Sequence, residues 1–186
     1  MRVHVTLVLL LCMAGCASTP PDRSYYLLRY VVPSGDVVTP TQGAVGLARV
    51  TVAGYLAQPG IVVETAPNEV RSAHDHLWVE PLSEGLTLYL RAAIEAALGR
   101  TVQVRVGEAL AAGPSVRVFI EELHGTMTGD ARIVARFQVS SGAGAVPRDV
   151  HFARSVPLPR AGYAALVEAE RALLDQLAIA IAQEMP

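Results

Sequence analysis

The sequence predicts an α+β fold: a mostly antiparallel β-sheet with two amphipathic helices packed on one face. Three observations carry this prediction. Short runs of β-branched and aromatic residues recur between Gly, Pro and Asn punctuation, the spacing of hairpins. Only Pro81 to Leu98 and Gly162 to Glu184 repeat apolar residues at three- and four-residue steps over many turns. The resulting order is β-β-β-β-α-β-β-β-β-α, and laying both helical stripes on one sheet face buries them together.

The first segment is no part of that fold. Arg2 supplies a short positive start, Val5 to Leu11 a compact apolar run, and Met13-Ala14-Gly15 small residues before a cleavage point. The run is far shorter than the roughly 20 residues that span a bilayer. Met13-Ala14-Gly15-Cys16 resembles a bacterial lipoprotein signal. That resemblance implies a diacylglyceryl group on the sulfur of Cys16, cleavage before it, and an N-acyl chain on its new amine. Cys12 lies in the apolar run and leaves with the signal. Two or three acyl chains, at roughly 0.8 kcal/mol per buried CH₂, anchor stably. Ala17 in place of the Asp that favours inner-membrane retention implies the outer membrane, with the domain facing the periplasm. The expected division is residues 1–15 as signal, 16–23 as lipidated Cys and tether, and 24–186 as one periplasmic domain. Ala17 to Arg23 is polar and Pro-rich, and reaches only about 25 Å when extended.

The elements then follow in order. Ser24 to Val32 reads as a strand, Pro33 to Gly43 as a loop, and Ala44 to Val52 as a strand whose alternation slips. Gly60 to Thr65 and Glu69 to Ala73 read as a hairpin turning at Ala66-Pro67-Asn68. The first helix begins at Pro81, which suits a first helical position, and stops at Gly99. Thr101 to Val106 alternates as a strand. Ser115 to Met127 and Ala131 to Val139 form a long hairpin about Thr128-Gly129-Asp130, with Ala131, Ile133, Ala135, Phe137 and Val139 sharing one face. Ser140 to Pro147 is a turn and Asp149 to Leu158 a strand. The second helix carries a Leu and Val stripe broken by Glu170.

Composition narrows the function. Cleavage leaves 171 of 186 residues, enough for one domain with a sizeable core, and 14 arginines against 17 acids. A slightly acidic chain without lysine gives no electrostatic case for nucleic acid. No cysteine beyond Cys16 remains, so there is no intradomain disulfide, thiol nucleophile or cysteine metal site. Enzyme motifs of the G-x-S-x-G, P-loop, H-E-x-x-H and G-x-G-x-x-G kinds are absent. Glu121 and Glu122, as neighbours on a strand, should point to opposite faces, and no catalytic residue is assigned. His74 and His76 share a strand face but lack a third ligand, so they read as a solvated pair and no metal or cofactor is expected. Trp78, the single Trp, is either a docking or lipid contact or, better, a core plug beneath the first helix. Glu80 suits a cap at that helix's positive N-terminus. Arg132 and Arg136 share a strand face and could meet lipid phosphates or a partner's acids, or simply face solvent.

Four stretches together resemble the PqiC family, the auxiliary lipoproteins of ABC-type and MCE-type envelope transporters. They are Cys16 followed closely by Tyr25-Tyr26-Leu27-Leu28; Val50 to Leu56 with Ile61-Val62-Val63; His74 to Leu82, containing Trp78-Val79-Glu80-Pro81-Leu82; and the Ala-rich final helix. Val79 stands where Ala or Gly is more usual in the family. The resemblance implies an outer-membrane lipoprotein that docks or caps the periplasmic end of a lipid conduit. Its partners would be an MCE-domain protein and ABC transporter components, and it would assemble as a ring of identical subunits. Two other readings compete. One is a standalone periplasmic carrier that holds a lipid or apolar ligand, which requires a cavity of roughly 300–1,000 Å³. The other is an envelope scaffold with cell-wall partners.

Overall fold

A computed structural model describes residues 22–32 and 43–186. Cys16, its signal and most of the tether and of the loop expected after the first strand lie outside them. Nine strands form one curled sheet: β1 (Ser24–Tyr26), β2 (Val45–Leu47), β3 (Thr51–Val52), β4 (Gly60–Ala66), β5 (Glu69–Trp78), β6 (Val102–Val104), β7 (Ser115–Gly125), β8 (Asp130–Ser140) and β9 (Arg148–Pro157). Helix α1 is Leu82–Leu98, α2 is a single turn at Glu108–Ala111, and α3 is Tyr163–Glu184. The long ladders, β4–β5, β7–β8 and β8–β9, are antiparallel, as the hairpin spacing requires.

The short ladders are parallel. One edge of β7 pairs with β8, and its other edge is met in turn by β2 at Ser115–Val116, β3 at Phe119–Ile120 and β4 at Gly125. The expected strand from Ala44 to Val52 is thus broken in two. The slip in its alternation has a physical cause: between the two pieces the Val50 N–H donates to Thr87 Oγ1 of α1 at 3.0 Å. The first strand is shorter than its β-rich composition suggests. It ends at Tyr26, whose carbonyl accepts the Val79 N–H at 3.0 Å, after which Leu28 turns into the core.

β5 extends five residues beyond its expected end, to Trp78. Its register against β4 jumps from Val62↔Ser72 to Gly60↔Leu77, so β5 bulges across Gly60. A Cβ on Gly60 would lie 2.2 Å from the Ala73 carbonyl, so only glycine fits. The hairpin turn places Asn68 at φ 64°, a conformation asparagine tolerates.

The core lies between the sheet and the helix pair. All five inward residues predicted on β8 are buried, with Ala131 and Ala135 leaving room for α3. Gly125 brings β7 up to Leu166 of α3, where a Cβ would lie 3.1 Å from Cδ2. Tyr89 of α1 donates to Asp175 Oδ1 of α3 at 2.8 Å and ties the helices together. Gly99 ends α1 at φ 63° with its N–H on the Glu95 carbonyl, as its position predicts. Among the described residues no helix is long and apolar enough to cross a membrane.

Candidate functional site

Two of the four stretches that resemble the family, Tyr25 to Leu28 and His74 to Leu82, meet at one junction, where β1 meets the end of β5 and the start of α1. The parallel register sets Tyr25 beside Leu77 and Tyr26 beside Trp78. Alternation then turns Tyr26, Leu28 and Trp78 toward the helices. Trp78 is 7% exposed and belongs to the core, filling the space beneath α1 as the core-plug reading expects. A shallow cleft remains above it, lined by Tyr26, Leu28, Trp78, Glu80, Leu82 and Gly85, with an empty volume of about 150 Å³.

Glu80 does not cap α1. Its carboxylate is held by both guanidinium nitrogens of Arg29: Nη1 reaches Oε1, and Nη2 reaches Oε2 at 3.0 Å. The helix begins after Pro81 with no side-chain cap, because the Arg29 fork competes better for the carboxylate than the distributed charge of the helix end. The hydrogen bond from Arg29 holds the Glu80 carboxyl below the usual carboxylate range. Gly85, one turn into α1, leaves space for this pair, since a Cβ there would lie 3.2 Å from Glu80 Oε1. Arg29 carries no local sign of this role, because its partner lies 51 positions away.

The two histidines separate. His74 is mostly exposed and its Nδ1 meets Asp75 Oδ1 at 2.7 Å. His76 is not solvated as expected. Its Nδ1 lies 3.0 Å from the Tyr26 hydroxyl, and its ring stacks on Tyr163, the first residue of α3, at 4.0 Å between centroids. The β1–β5 register places His76 next to Ser24 and within reach of Tyr26, and so turns a nominal surface residue into a link between β1 and α3.

Arg132 and Arg136 lie on the outer face of β8, opposite the helices, and both are paired. Arg132 Nε meets Glu122 Oε2 at 2.5 Å, and Arg136 Nε meets Glu121 Oε1. The Arg136 guanidinium also sits 5.5 Å over the Phe119 ring. Glu121 and Glu122 therefore face the same side, contrary to simple alternation. The cause is a β-bulge between Ile120 and Glu122, which inserts Glu121 as an extra residue and lets both carboxylates reach arginines on β8. With their charges matched, these arginines have little field left for a phosphate.

Among the described residues, Glu170 sits in an environment that opposes its charge. It is 1% exposed on α3, and neither carboxylate oxygen has a hydrogen-bond partner. Burial pushes its carboxyl up to about 8.

The arrangement is that of a mechanical joint. It fastens β1 to sheet and helices through a backbone ladder, an ion pair and a stacked ring. Residues 26–182 match the family of ABC-type transport auxiliary lipoprotein components. The chain is 28% identical to the intermembrane transport lipoprotein PqiC of Escherichia coli strain K12, over all of this chain and 98% of that protein, and likewise to that of Shigella flexneri. Among solved structures, an uncharacterized protein superposes with a TM-score of 0.72 at 23% identity, covering 88% of this chain and 98% of that one. A Xanthomonas campestris protein superposes with a TM-score of 0.69 at 17% identity, covering 86% and 92%. These two share the fold. The match to this family along most of its length makes the chain a member of the ABC-type transport auxiliary lipoprotein family.

Proposed function

We propose that this lipoprotein is a non-enzymatic accessory of an MCE/ABC-type intermembrane lipid-transport system. Acyl chains on Cys16 hold it at the outer membrane, and the folded domain docks or caps the periplasmic end of the conduit. The observation that carries this reading is the full-length likeness to an intermembrane transport lipoprotein. The joint at Tyr26, Arg29, Trp78 and Glu80 supports it, because the strand that continues the tether is built into the sheet. Position fixed at the anchor is thereby passed to the whole domain. A carrier would need an enclosed cavity of roughly 300–1,000 Å³, and the shallow cleft above Trp78 is not one.

The test is an in-cell crosslink and pull-down of the full-length lipoprotein, with partners identified by mass spectrometry. Recovery of an MCE-domain protein or its ABC partners is the expected result. Recovery of lipid alone, or of the protein alone, with working controls would overturn it. The mass of the N-terminal peptide reads the diacylglyceryl and N-acyl groups on Cys16 directly.

A further inference from the structure

We propose that the outward face of the β1–β5 joint, made by Tyr25, Leu27, Leu77 and Val79, rests on the surface of the lipid bilayer that holds the protein's own anchor. The inference rests on the reading of Cys16 as that anchor. Alternation gives the patch its membership. Tyr26, Leu28 and Trp78 point inward, so Tyr25, Leu27 and Val79 point outward, with Leu77 half-buried on the same face. The register sets Tyr25 beside Leu77, and the hydrogen bond from Val79 N–H to the Tyr26 carbonyl brings Val79 alongside Leu27. Tyr25, Leu27 and Val79 are 60%, 52% and 54% exposed, a concentration of apolar surface at the root of the tether.

Chain length identifies the occupant. Tyr25 is nine positions along the chain from Cys16, so the patch is confined within about 30 Å of the acylated residue. Such confinement gives the bilayer a high effective concentration at this surface, and weak contacts then suffice. Four side chains are far fewer than the roughly 20–30 residues a side of a stable protein interface. They are, however, enough for a second membrane signal beside the acyl chains. The composition suits an interface: a tyrosine with an apolar ring and a polar tip, flanked by Leu and Val, and preceded by the exposed Arg23. The rigid joint behind the patch makes this contact an orienting one, since Arg29–Glu80 and His76–Tyr163 prevent β1 from pivoting away from α1 and α3.

The experiment uses the mature, acylated full-length protein on vesicles of phosphatidylethanolamine and phosphatidylglycerol. Acylation blocks Cys16, so Leu27→Cys, Val79→Cys and, as a control on the helix layer, the exposed Ile179→Cys can each be spin-labelled singly. The accessibility ratio of oxygen to a water-soluble nickel chelate should be several-fold higher at positions 27 and 79 than at 179. Equal ratios on vesicles that float with bound protein would overturn the proposal. So would shielding from both reagents with spin–spin broadening, which would assign the patch to a second copy of the chain. Protein that neither floats nor carries acyl mass on its N-terminal peptide would remove the anchor itself, and the proposal with it, and is told apart from the other outcomes by that mass.

Discussion

Glu170 shows how one residue can set the pH response of a fold. Its carboxyl is near 4.5 when the chain is unfolded and about 8 when buried. Between those values the native state holds a proton that the unfolded chain releases, so stability is full below the lower value and is lost as pH rises through the upper. Near neutral pH the difference costs about 3 kcal/mol. Glu170→Leu should therefore raise Tm at pH 7.5 by about 5–10 °C and flatten the decline between pH 5 and 8, as followed by thermal unfolding across that range. Glu80 has the opposite sign. Arg29 depresses its carboxyl, so the pair stabilises above the ordinary carboxylate range and ceases to do so as pH falls through the depressed value. Because Arg29 is 42% exposed, solvent screens the pair, and Arg29→Ala should cost only about 1 kcal/mol, a difference that vanishes in acid in urea titrations. Trp78 was legible as a core residue from its place before Pro81. Its emission should not move when vesicles are added to the acylated protein, since it faces the core while the opposite face meets lipid; a blue shift would contradict that geometry.

At the scale of elements, local signals were read correctly and distant ones were not. The two long helices, the β7–β8–β9 hairpins and the Gly99 stop are visible in the sequence, because each depends on periodicity and turn chemistry within a few residues, whereas the single turn of α2 is too short to show a period. The full length of β5, the break between β2 and β3 and the end of β1 are not visible. Each is decided by a partner far along the chain: Thr87 for Val50, Gly60 for the bulge, and Val79 for Tyr26. The pairing of Glu121 and Glu122 on one face follows from the bulge after Ile120, which shifts the apolar alternation of β7 from Val116, Val118 and Ile120 to Leu123. The β5 bulge carries its own prediction. Gly60→Ala forces a methyl against the Ala73 carbonyl, and neither backbone can yield without losing the β4–β5 register. It should destabilise the protein by about 2–3 kcal/mol, measured as a drop in the urea midpoint at unchanged slope.

For the whole molecule, the question is whether the interior has room for cargo. Two helices and the inner sheet face close over side chains such as Phe137, Leu173 and Ile181, all 2% exposed or less. Domain expressed without residues 1–16 should accordingly emerge free of stoichiometric lipid in native mass spectrometry. The candidate site was legible as a set of motifs in the sequence, but its nature was not. The joint depends on the parallel β1–β5 ladder and on Arg29, neither of which has a local signature.

The edge of β7 shared by β2, β3 and β4 has a consequence in time. Those contacts join residues 62 to 69 positions apart, whereas β7, β8 and β9 are consecutive. Nearby pairings close quickly and distant ones slowly, so the later half of the chain supplies the template on which the earlier half assembles. A chain that emerges from its N-terminus must therefore hold its first strands in waiting until the last have appeared. During that interval β1 and β5 lack the completed sheet and the last helix, and the joint closes only afterwards. Pulsed hydrogen exchange during refolding should protect β7 to β9 before β1 and β5, and protection in the reverse order would refute this sequence of events.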